Sequence, residues 1–229
     1  MTRILYTLCG ADRNRRFSPY AFRAFMALHH KGLDFREVPT HYAEMPAIED
    51  GFTPTVPVLN DNGHLVRDSF DIALYLERAY PDRPSLFGGP SGAALCRTIE
   101  GYVQFILQAS MMRMIVKDIH DILDPADQAY FRETREKRLG RPLEELVAGR
   151  DGEFAAFGPK LEPLRHALKH QPWFGGDGPL FGDYIVFGAF AWARAVSTLP
   201  LLAPGDIVHD WFERCLDLHE GAARAIPLA

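Results

Sequence analysis

The chain has 229 residues, of which 47% are hydrophobic and 24% charged, and its formal net charge is −5. This composition is typical of a soluble globular protein, and the length is sufficient for two modest domains. Acidic and basic residues are interspersed, which argues against a nucleic-acid-binding surface. No uncharged apolar stretch reaches the roughly 18 residues that predict a membrane-spanning helix.

The N-terminus and the cysteines predict a cytoplasmic location. The chain enters a predicted strand almost at once and lacks the pattern of a signal peptide. Cys9, Cys96 and Cys215 lie far apart, are odd in number and form no C-x-x-C motif. Such usage is typical of a reducing compartment and argues against a disulfide framework.

The first two predicted elements place one hydroxyl group at a helix N-terminus. An apolar run over residues 4–8 predicts a strand, and Ser18 stands directly before Pro19 at the start of an alanine-rich run that ends at Lys31-Gly32. Serine at the N-cap, proline at the first position and glycine past the end are typical of one helix. The free N–H groups of a helix N-terminus favour a bound anion, although Ser18 could also be only a cap.

The rest of the first eighty residues predicts a small α/β domain. Residues 35–39 and 55–59 have strand character, and residues 41–53 are irregular. A tight turn at residues 60–63 leads into a returning strand at residues 64–67. Asp68-Ser69 then opens a helix that runs to Tyr80. The order is β-α-β, then a β-hairpin, then a helix.

Beyond a glycine-rich linker at residues 88–92, nearly every segment predicts helix. The sequence therefore predicts an α+β protein of two unlike domains, residues 1–84 and 92–229. We expect the helix over residues 181–199, which is almost wholly apolar, to be buried on all sides. The other predicted helices cover residues 93–123, 125–140, 143–147, 159–170 and 210–223.

Three motifs in this order resemble those of the glutathione S-transferases. They are S-P-Y-x-x-R at the first helix, T-V-P-V at the strand that follows, and the Asp68-Ser69 pair. The resemblance covers essentially the whole chain and implies a thioredoxin-like α/β domain followed by an all-helical domain. It also implies glutathione as co-substrate and a homodimer. The P-D-R-P-x-L-F segment and residues 143–151 look more particularly like the bacterial aryl β-etherases and their fungal relatives.

The resemblance also implies roles for individual residues, carried over by motif position. Ser18 would point at the glutathione sulfur, and the Val56 backbone would bind the cysteinyl part of glutathione. Pro57 would be a cis proline. Asp68 and Ser69 would hold the γ-glutamyl end.

The chemistry expected at Ser18 is activation of a thiol. A thiolate is the nucleophile, whereas a free cysteine thiol has a pKa of about 8.5. Lowering that pKa by about two units needs roughly 2.7 kcal/mol of preferential stabilisation of the anion. One charge-assisted hydrogen bond from Ser18, worth about 1.5–3 kcal/mol, and a helix-dipole contribution below about 1 kcal/mol suffice. No base that would make Ser18 itself the nucleophile is visible.

The predicted function is transfer of glutathione to small apolar or aromatic electrophiles. Two alternatives stay open: a glutathione-dependent β-etherase that cleaves β-aryl ethers, and a non-catalytic glutathione-binding module. The candidate substrate residues are Tyr20, Phe105, Met112 and Arg113. For Phe105, Met111, Met112 and Ile115, a place in the core is an equally open interpretation.

Several other residues have simpler interpretations. We expect Cys9 to be a buried strand cysteine, and Arg13, Arg15 and Arg16 to belong to a solvated loop. His166 and His170 have i, i+4 spacing but no third ligand nearby, so we predict no metal site. Asp183 lies three residues after Leu180, at the start of the buried helix. In the family this cap position usually holds Ser or Thr, and leucine cannot accept the hydrogen bond of such a cap. Either Asp183 satisfies local N–H groups alone, or that helix begins later.

Overall fold

A mixed four-stranded sheet forms the centre of the N-terminal half. The structure is a computed structural model that describes residues 2–229. The strands are β1 (Arg3–Leu8), β2 (Arg36–Thr40), β3 (Val58–Asp61) and β4 (His64–Arg67). Their spatial order is β2-β1-β3-β4; β1 is parallel to β2 and antiparallel to β3, which is antiparallel to β4. Helix α1 (Pro19–His30) joins β1 to β2, and α2 (Ser69–Ala79) follows β4, which confirms the predicted thioredoxin-like domain.

The hairpin differs from the prediction in its boundaries. The strand predicted over residues 55–59 begins only at Val58, since Pro57 has no N–H group with which to join the ladder, and it continues to Asp61. The turn is therefore reduced to Asn62 and Gly63, with φ values of 54° and 93°. Two-residue hairpins of this kind need positive φ at both positions, for which Asn-Gly is the favoured pair.

The C-terminal half is helical, as predicted. No helix within residues 2–229 is long and apolar enough to cross a membrane. The helices are α3 (Pro90–Tyr102), α4 (Ala109–Asp121), α5 (Pro125–Leu139), α6 (Leu143–Ala148), α7 (Arg150–Ala155), α8 (Glu162–His170), α9 (Phe181–Val196) and α10 (Ile207–Gly221).

Some helical boundaries were not predicted. A π-helical turn at Val103–Gln108 separates α3 from α4 within the long helix predicted over residues 93–123. Helix α7 follows directly on Gly149 and was missed. The last helix begins earlier than residue 210, because the Asp206 carboxylate caps it by accepting from Val208 N at 2.9 Å. In the sheet half, the irregular stretch contains a 3-10 segment at Tyr42–Gly51.

Helix α9 is the buried centre of the molecule. Every residue from Phe181 to Val196 is buried except Arg194, which confirms the predicted burial. It packs against α1 so closely that a Cβ atom at Gly188 would lie 2.3 Å from the carbonyl oxygen of Pro19. Glycine at position 188 therefore lets α9 support the first turn of α1, where Ser18 is the N-cap.

The start of α9 depends on the buried carboxylate of Asp183. Leu180 occupies the N-cap position and its side chain has no polar atom. Asp183 instead accepts from the backbone N–H groups of Phe174, Gly175 and Leu180 at 2.8, 2.9 and 3.0 Å, and from the Trp211 indole N–H at 2.9 Å. Burial raises the pKa of Asp183, and these four donors oppose that shift. The aspartate thus satisfies local N–H groups, as one of the two predicted alternatives requires.

Replacing Asp183 by asparagine tests this role. The Asp183→Asn variant presents an NH₂ group to two of the four donors, so the free energy of unfolding should fall by about 3 kcal/mol, since each unsatisfied buried donor costs about 1–3 kcal/mol. Urea unfolding measures the change. Asp177→Asn, the same substitution at an exposed loop position, is the matched control and should change stability little. Equal stability of the two variants would contradict the role given to Asp183.

Candidate active site

The sheet register brings the predicted site segments to one end of the sheet. Strand β1 ends at Leu8, whose carbonyl oxygen accepts from Phe17 N at 3.0 Å, so Ser18 lies beside the end of β1. In the β1–β3 pair, Tyr6 lies opposite Val58. Val56 and Pro57 come directly before β3, beyond the last residue pair of this ladder, and therefore lie towards the C-terminal end of β1.

The second hairpin strand adds the third segment. Val58 pairs with Arg67 at the end of the β3–β4 ladder, so Pro57 and Asp68 both follow on from this last pair. The Val56–Pro57 peptide bond is cis, as the resemblance implies. Three segments therefore meet at one end of the sheet: the C-terminal end of β1, the residues before β3 and the start of α2.

Ser18 combines a helix N-terminus with a free hydroxyl proton. Its Oγ accepts from Ala21 N at 3.1 Å, and its backbone is extended, with φ −73° and ψ 121°, as expected of an N-cap. This is the one hydrogen bond of the Ser18 hydroxyl to the part of the chain that the structure describes, so its proton is free to be donated. The side chain is 5% exposed. An anion at this position would gain both the hydroxyl donor and the helix dipole.

Asp68 and Ser69 form a second polar helix start. One carboxylate oxygen of Asp68 accepts from Phe70 N at 2.8 Å and Asp71 N at 3.2 Å, with Asp68 itself at a positive φ of 67°. The Ser69 hydroxyl is fully buried and has no hydrogen-bond partner among residues 2–229. A buried polar group without a partner costs free energy. Because this hydroxyl has no exposed surface, a ligand does not reach it in this conformation, and the binding role of Ser69 stays a prediction.

Arg23 is a buried charge beside these two helix starts, and its role was not predicted although it belongs to the S-P-Y-x-x-R motif. Its guanidinium pairs with Glu100 at 3.0 Å and lies 4.8 Å from the centre of the Tyr20 ring. Burial lowers the pKa of Arg23, and the Glu100 carboxylate opposes that shift. The arginine therefore ties the first turns of α1 to α3 and fixes Tyr20. The signal available in the sequence was a charge among the apolar residues of α1.

Two family models match the chain over both halves. The model described as the glutathione S-transferase N-terminal domain matches residues 14–84, and that of the glutathione S-transferase C-terminal domain matches residues 94–200. The chain belongs to the glutathione S-transferase family. Among curated members of that family, the glutathione S-transferase-like protein ustS of Aspergillus flavus is 23% identical over 219 residues, covering 83% of this chain and 78% of the relative.

Solved glutathione S-transferase structures share the whole fold. A glutathione S-transferase of Ceriporiopsis subvermispora, crystallised in complex with glutathione, has a TM-score of 0.79 and 21% identity, with 99% of this chain and 98% of that chain covered. The glutathione transferase GSTFuA3 of Phanerochaete chrysosporium has a TM-score of 0.70 and 26% identity, covering 100% of this chain and 98% of that chain.

In this glutathione S-transferase the helical domain contacts the sheet end directly. The buried carboxylate of Asp127, in α5, accepts from Tyr42 N at 2.8 Å and Ala43 N at 2.9 Å. Ala11 N, in the loop before α1, donates to the carbonyl oxygen of Ile122 at 2.8 Å. The second domain therefore covers the β1 and β2 side of the sheet end. The Ser69 hydroxyl lies on the opposite side, with β3, β4 and α2.

The C-terminal segment also reaches the site, which sequence reasoning missed. Ile226 lines a small cavity of about 10 Å³ beside Ser18, together with Thr7, Phe22 and Phe25. That volume corresponds to about one water molecule. No local pattern could have revealed this contact, because Ile226 lies more than two hundred residues along the chain from Ser18.

The predicted substrate residues do not form one cluster. Tyr20 is half-buried on Arg23, and Met112 is half-buried against the core. Phe105 lies on the π-helical turn and is 72% exposed. It therefore belongs neither to the core nor to the wall of a pocket. Arg113 is exposed and pairs with Glu153 of α7 at 3.0 Å. The ion-pair partner of Arg113 thus lies within the helical domain, and a role for Arg113 in substrate binding stays a prediction.

The remaining candidates are Cys9, the arginines before Ser18, and the histidines His166 and His170. Cys9 is buried, and burial raises the pKa of its thiol to about 11, which keeps it protonated near neutral pH. Arg13 is exposed and pairs with Glu44, as expected of a solvated loop. Arg16 is half-buried, pairs with Glu37 and lines the cavity beside Ser18, so the solvated position predicted for it is wrong. No group of three potential metal-ligating side chains occurs within residues 2–229, and His166 and His170 contact each other.

Proposed function

We propose that this protein is a glutathione transferase that activates the glutathione thiolate for attack on small apolar or aromatic electrophiles. The observation that carries the proposal is the Ser18 hydroxyl at the N-terminus of α1, which accepts from Ala21 N and keeps its own proton for a ligand. A glutathione sulfur would accept that proton in a hydrogen bond. The γ-glutamyl carboxylate would lie at the N-terminus of α2, where the buried Ser69 hydroxyl would have to move to meet it.

The residues divide the work between binding and activation. Asp68 and Ser69 would hold the charged γ-glutamyl end, and the Val56 backbone would bind the cysteinyl part. Ser18 would donate its hydroxyl proton to the sulfur, which stabilises the thiolate relative to the thiol. The N-terminus of α1 adds its dipole, and the first turn of α1 contains no acidic residue to oppose it. The similar Ceriporiopsis subvermispora glutathione S-transferase was crystallised in complex with glutathione, which supports glutathione as the ligand.

The transferred electrophile would enter from the side that the helical domain covers. The cavity beside Ser18 is lined by Phe22, Phe25 and Ile226, but also by Thr7 and the ion-paired Arg16 and Glu37. The apolar part of this lining would reduce the contact of the thiolate with water, and electrostatic stabilisation by Ser18 is stronger in such surroundings. The three buried free cysteines support a reducing, cytoplasmic compartment in which glutathione is itself reduced.

Binding is tested by thermal melts with and without millimolar glutathione. Glutathione should raise the Tm, by the equivalent of about 2.7 kcal/mol at a hundred times Kd. Ser69→Ala should affect the free and the glutathione-bound protein differently. Because it removes an unsatisfied buried hydroxyl, the free protein should be as stable as the parent or more stable. The increase in Tm that glutathione causes should be mostly lost. Asp68→Asn, which tolerates positive φ, should also reduce the shift. Ser91→Ala, at an exposed position, is the control. An unchanged Tm with glutathione would overturn the proposal.

Activation is tested by titrating the thiolate absorbance of bound glutathione against pH. Ser18→Ala should raise the pKa of the bound thiol towards its ordinary value, so the pH–rate curve moves to higher pH and the rate near pH 7 falls about ten- to a thousand-fold. The variant also loses a cap worth about 1 kcal/mol. Ser18→Thr keeps both the hydroxyl and the cap and should retain the low pKa. An identical titration curve for Ser18→Ala would exclude Ser18 from thiol activation.

A β-etherase activity is the second candidate. It is favoured by the segments at residues 81–87 and 143–151, which resemble those of the bacterial aryl β-etherases and their fungal relatives. The thiolate would attack the carbon next to an aryl ketone, forming a C–S bond as the C–O bond breaks, and the aryloxy group would leave as a phenolate.

Two substrates distinguish the candidates. Incubation with glutathione and a fluorogenic α-aryloxy aryl ketone should release phenol from an etherase, at a rate that Ser18→Ala reduces. If the protein conjugates an aryl halide but releases no phenol from the ketone, the etherase proposal is excluded and the general transferase proposal is retained. Glutathione binding without turnover of either substrate would favour the non-catalytic module.

A homodimer is the assembly that the family resemblance implies. Three exposed apolar side chains, Phe52, Leu95 and Phe105, offer surface for it, since large apolar side chains on a surface are typical of interaction sites. The chain mass is 25.8 kDa, so sedimentation should give about twice this value. A Leu95→Glu, Phe105→Glu double variant should sediment as a monomer. A monomeric parent protein would overturn the proposal.

A further inference from the structure

Three histidines and one tyrosine meet where the two halves of the chain are in contact. His29 and His30 are the last two residues of α1, Tyr184 belongs to α9, and His219 lies near the end of α10. The His219 ring stacks on that of His29 at 5.7 Å between centroids and lies 6.4 Å from that of His30. The Tyr184 ring lies 5.6 Å from His30 and 6.3 Å from His219. The three histidines are half-buried, and these four residues are called the histidine cluster below.

The hydrogen bonds of the histidine cluster form a chain that uses neutral histidines. His30 Nε2 lies 2.9 Å from the carbonyl oxygen of Ser85, which can only accept, so this nitrogen carries a proton. When the ring is neutral, His30 Nδ1 therefore accepts from the Tyr184 hydroxyl at 2.7 Å. The Tyr184 oxygen in turn can accept from His219 Nε2 at 3.4 Å. If His30 and His219 were both charged, both would donate to this oxygen, and the tyrosine proton would have no acceptor in the chain.

The charged and titratable groups that face the cluster do not neutralise a charge on it. From α1 and α2, Lys31 and Glu77 act on His30, but they pair with each other at 2.6 Å. From α9, the carboxylate of Asp183 already accepts four hydrogen bonds. From α10, the facing group is the buried thiol of Cys215.

The surroundings of His29 are apolar. Its ring contacts those of Phe25 and Phe35 at 4.5 and 5.1 Å between centroids. Asp34 and Arg36, on either side of Phe35, are exposed. Among residues 2–229, the histidines that pair with a carboxylate lie elsewhere; they are His41, His120 and His209.

The chain reverses its helical course at His219. His219 and Glu220 have positive φ values of 54° and 60°, which are uncommon for residues other than glycine, and Glu220 is exposed. The residues that follow bring Ile226 to the cavity beside Ser18. The contacts of His219 with α1 therefore hold the point from which the end of the chain departs.

The cluster favours the neutral form of its histidines. Burial lowers the pKa of all three, and for His219, whose pKa falls to about 4, His29 and His30 add to this effect. An exposed histidine has a pKa of about 6.5. The stability of the contact is therefore fully present above about pH 6.5 and is lost as the pH falls towards the lowered pKa. For His219 alone, the ratio of open to closed forms should rise about thirty-fold between pH 7.5 and pH 5.

We propose that the histidine cluster is a proton-sensitive contact that holds the end of α10 on α1 and opens in acid. Two charged members would face each other without a carboxylate, and the hydrogen-bond chain through Tyr184 would break. The end of α10 then separates from α1, and Ile226 leaves the cavity beside Ser18, while α9 and the sheet keep their packing. The opening does not depend on the proposed transferase activity, because none of the four residues belongs to the glutathione site.

Hydrogen–deuterium exchange, followed by mass spectrometry on the full chain, tests the opening. Exchange times are scaled so that the intrinsic amide rate is equal at every pH, and protection is compared between pH 7.5 and pH 5. Protection of residues 216–226 should fall about ten-fold or more, whereas protection of residues 184–196 in α9 should change by less than about three-fold. Protection of residues 216–226 that does not depend on pH, or an equal loss in α9, would overturn the proposal.

Two substitutions remove the titratable groups and keep the local structure. His219→Asn carries no charge, and asparagine tolerates positive φ. His29→Phe keeps an aromatic ring between Phe25 and Phe35. In the double variant, protection of residues 216–226 should fall by less than about three-fold between pH 7.5 and pH 5. His170→Asn, at an exposed position of α8, is the matched control and should behave as the parent protein does.

Near-UV circular dichroism at pH 7.5 shows whether the double variant keeps the native packing. If it does not, His219→Asn alone is compared, and its loss of protection should be smaller than that of the parent protein by about three-fold or more. Equal losses in the parent protein and in the variant that folds would contradict the role given to the cluster.

Discussion

The buried carboxylate of Asp183 is the interaction on which the rest of the molecule depends. It gathers four N–H donors from three chain segments, at the start of a helix that has no side-chain cap of its own. Because α9 begins there, its register against α1 is fixed, and Gly188 meets the carbonyl of Pro19. The orientation of Ser18 thus follows from a hydrogen-bond network in the other domain.

The candidate site likewise depends on the geometry of the backbone. The starts of α1 and α2 lie near one end of the sheet, and the Ser18 hydroxyl keeps a proton that it can donate. Helix dipoles and neutral donors attract an anion without the desolvation penalty of a buried cation. Two cations of this region are already paired, Arg23 with Glu100 and Arg16 with Glu37. Anion stabilisation can therefore be divided between a binding helix and an activating helix.

The sequence predicted the parts of this arrangement that depend on local chemistry. Ser18-Pro19 as a helix start and Asn62-Gly63 as a turn follow from the conformations that these residues favour. The two-domain fold also followed from the change of pattern near residue 90. Contacts between distant segments were not predictable in this way: neither the pairing of Arg113 with Glu153 nor the position of Ile226 beside Ser18 has a local signal. The missing partner of Ser69 is likewise visible only once the surrounding atoms are known.

The contact of Ile226 with the Ser18 cavity has a consequence for synthesis of the chain. During translation the sheet domain leaves the ribosome first, but the face of α1 that packs on α9 stays uncovered until residue 196 has emerged. The wall beside Ser18 is completed only thirty residues later, when Ile226 follows. A nascent chain therefore exposes Phe22 to water for most of its synthesis, and it is in this interval that binding by a chaperone would protect it from aggregation.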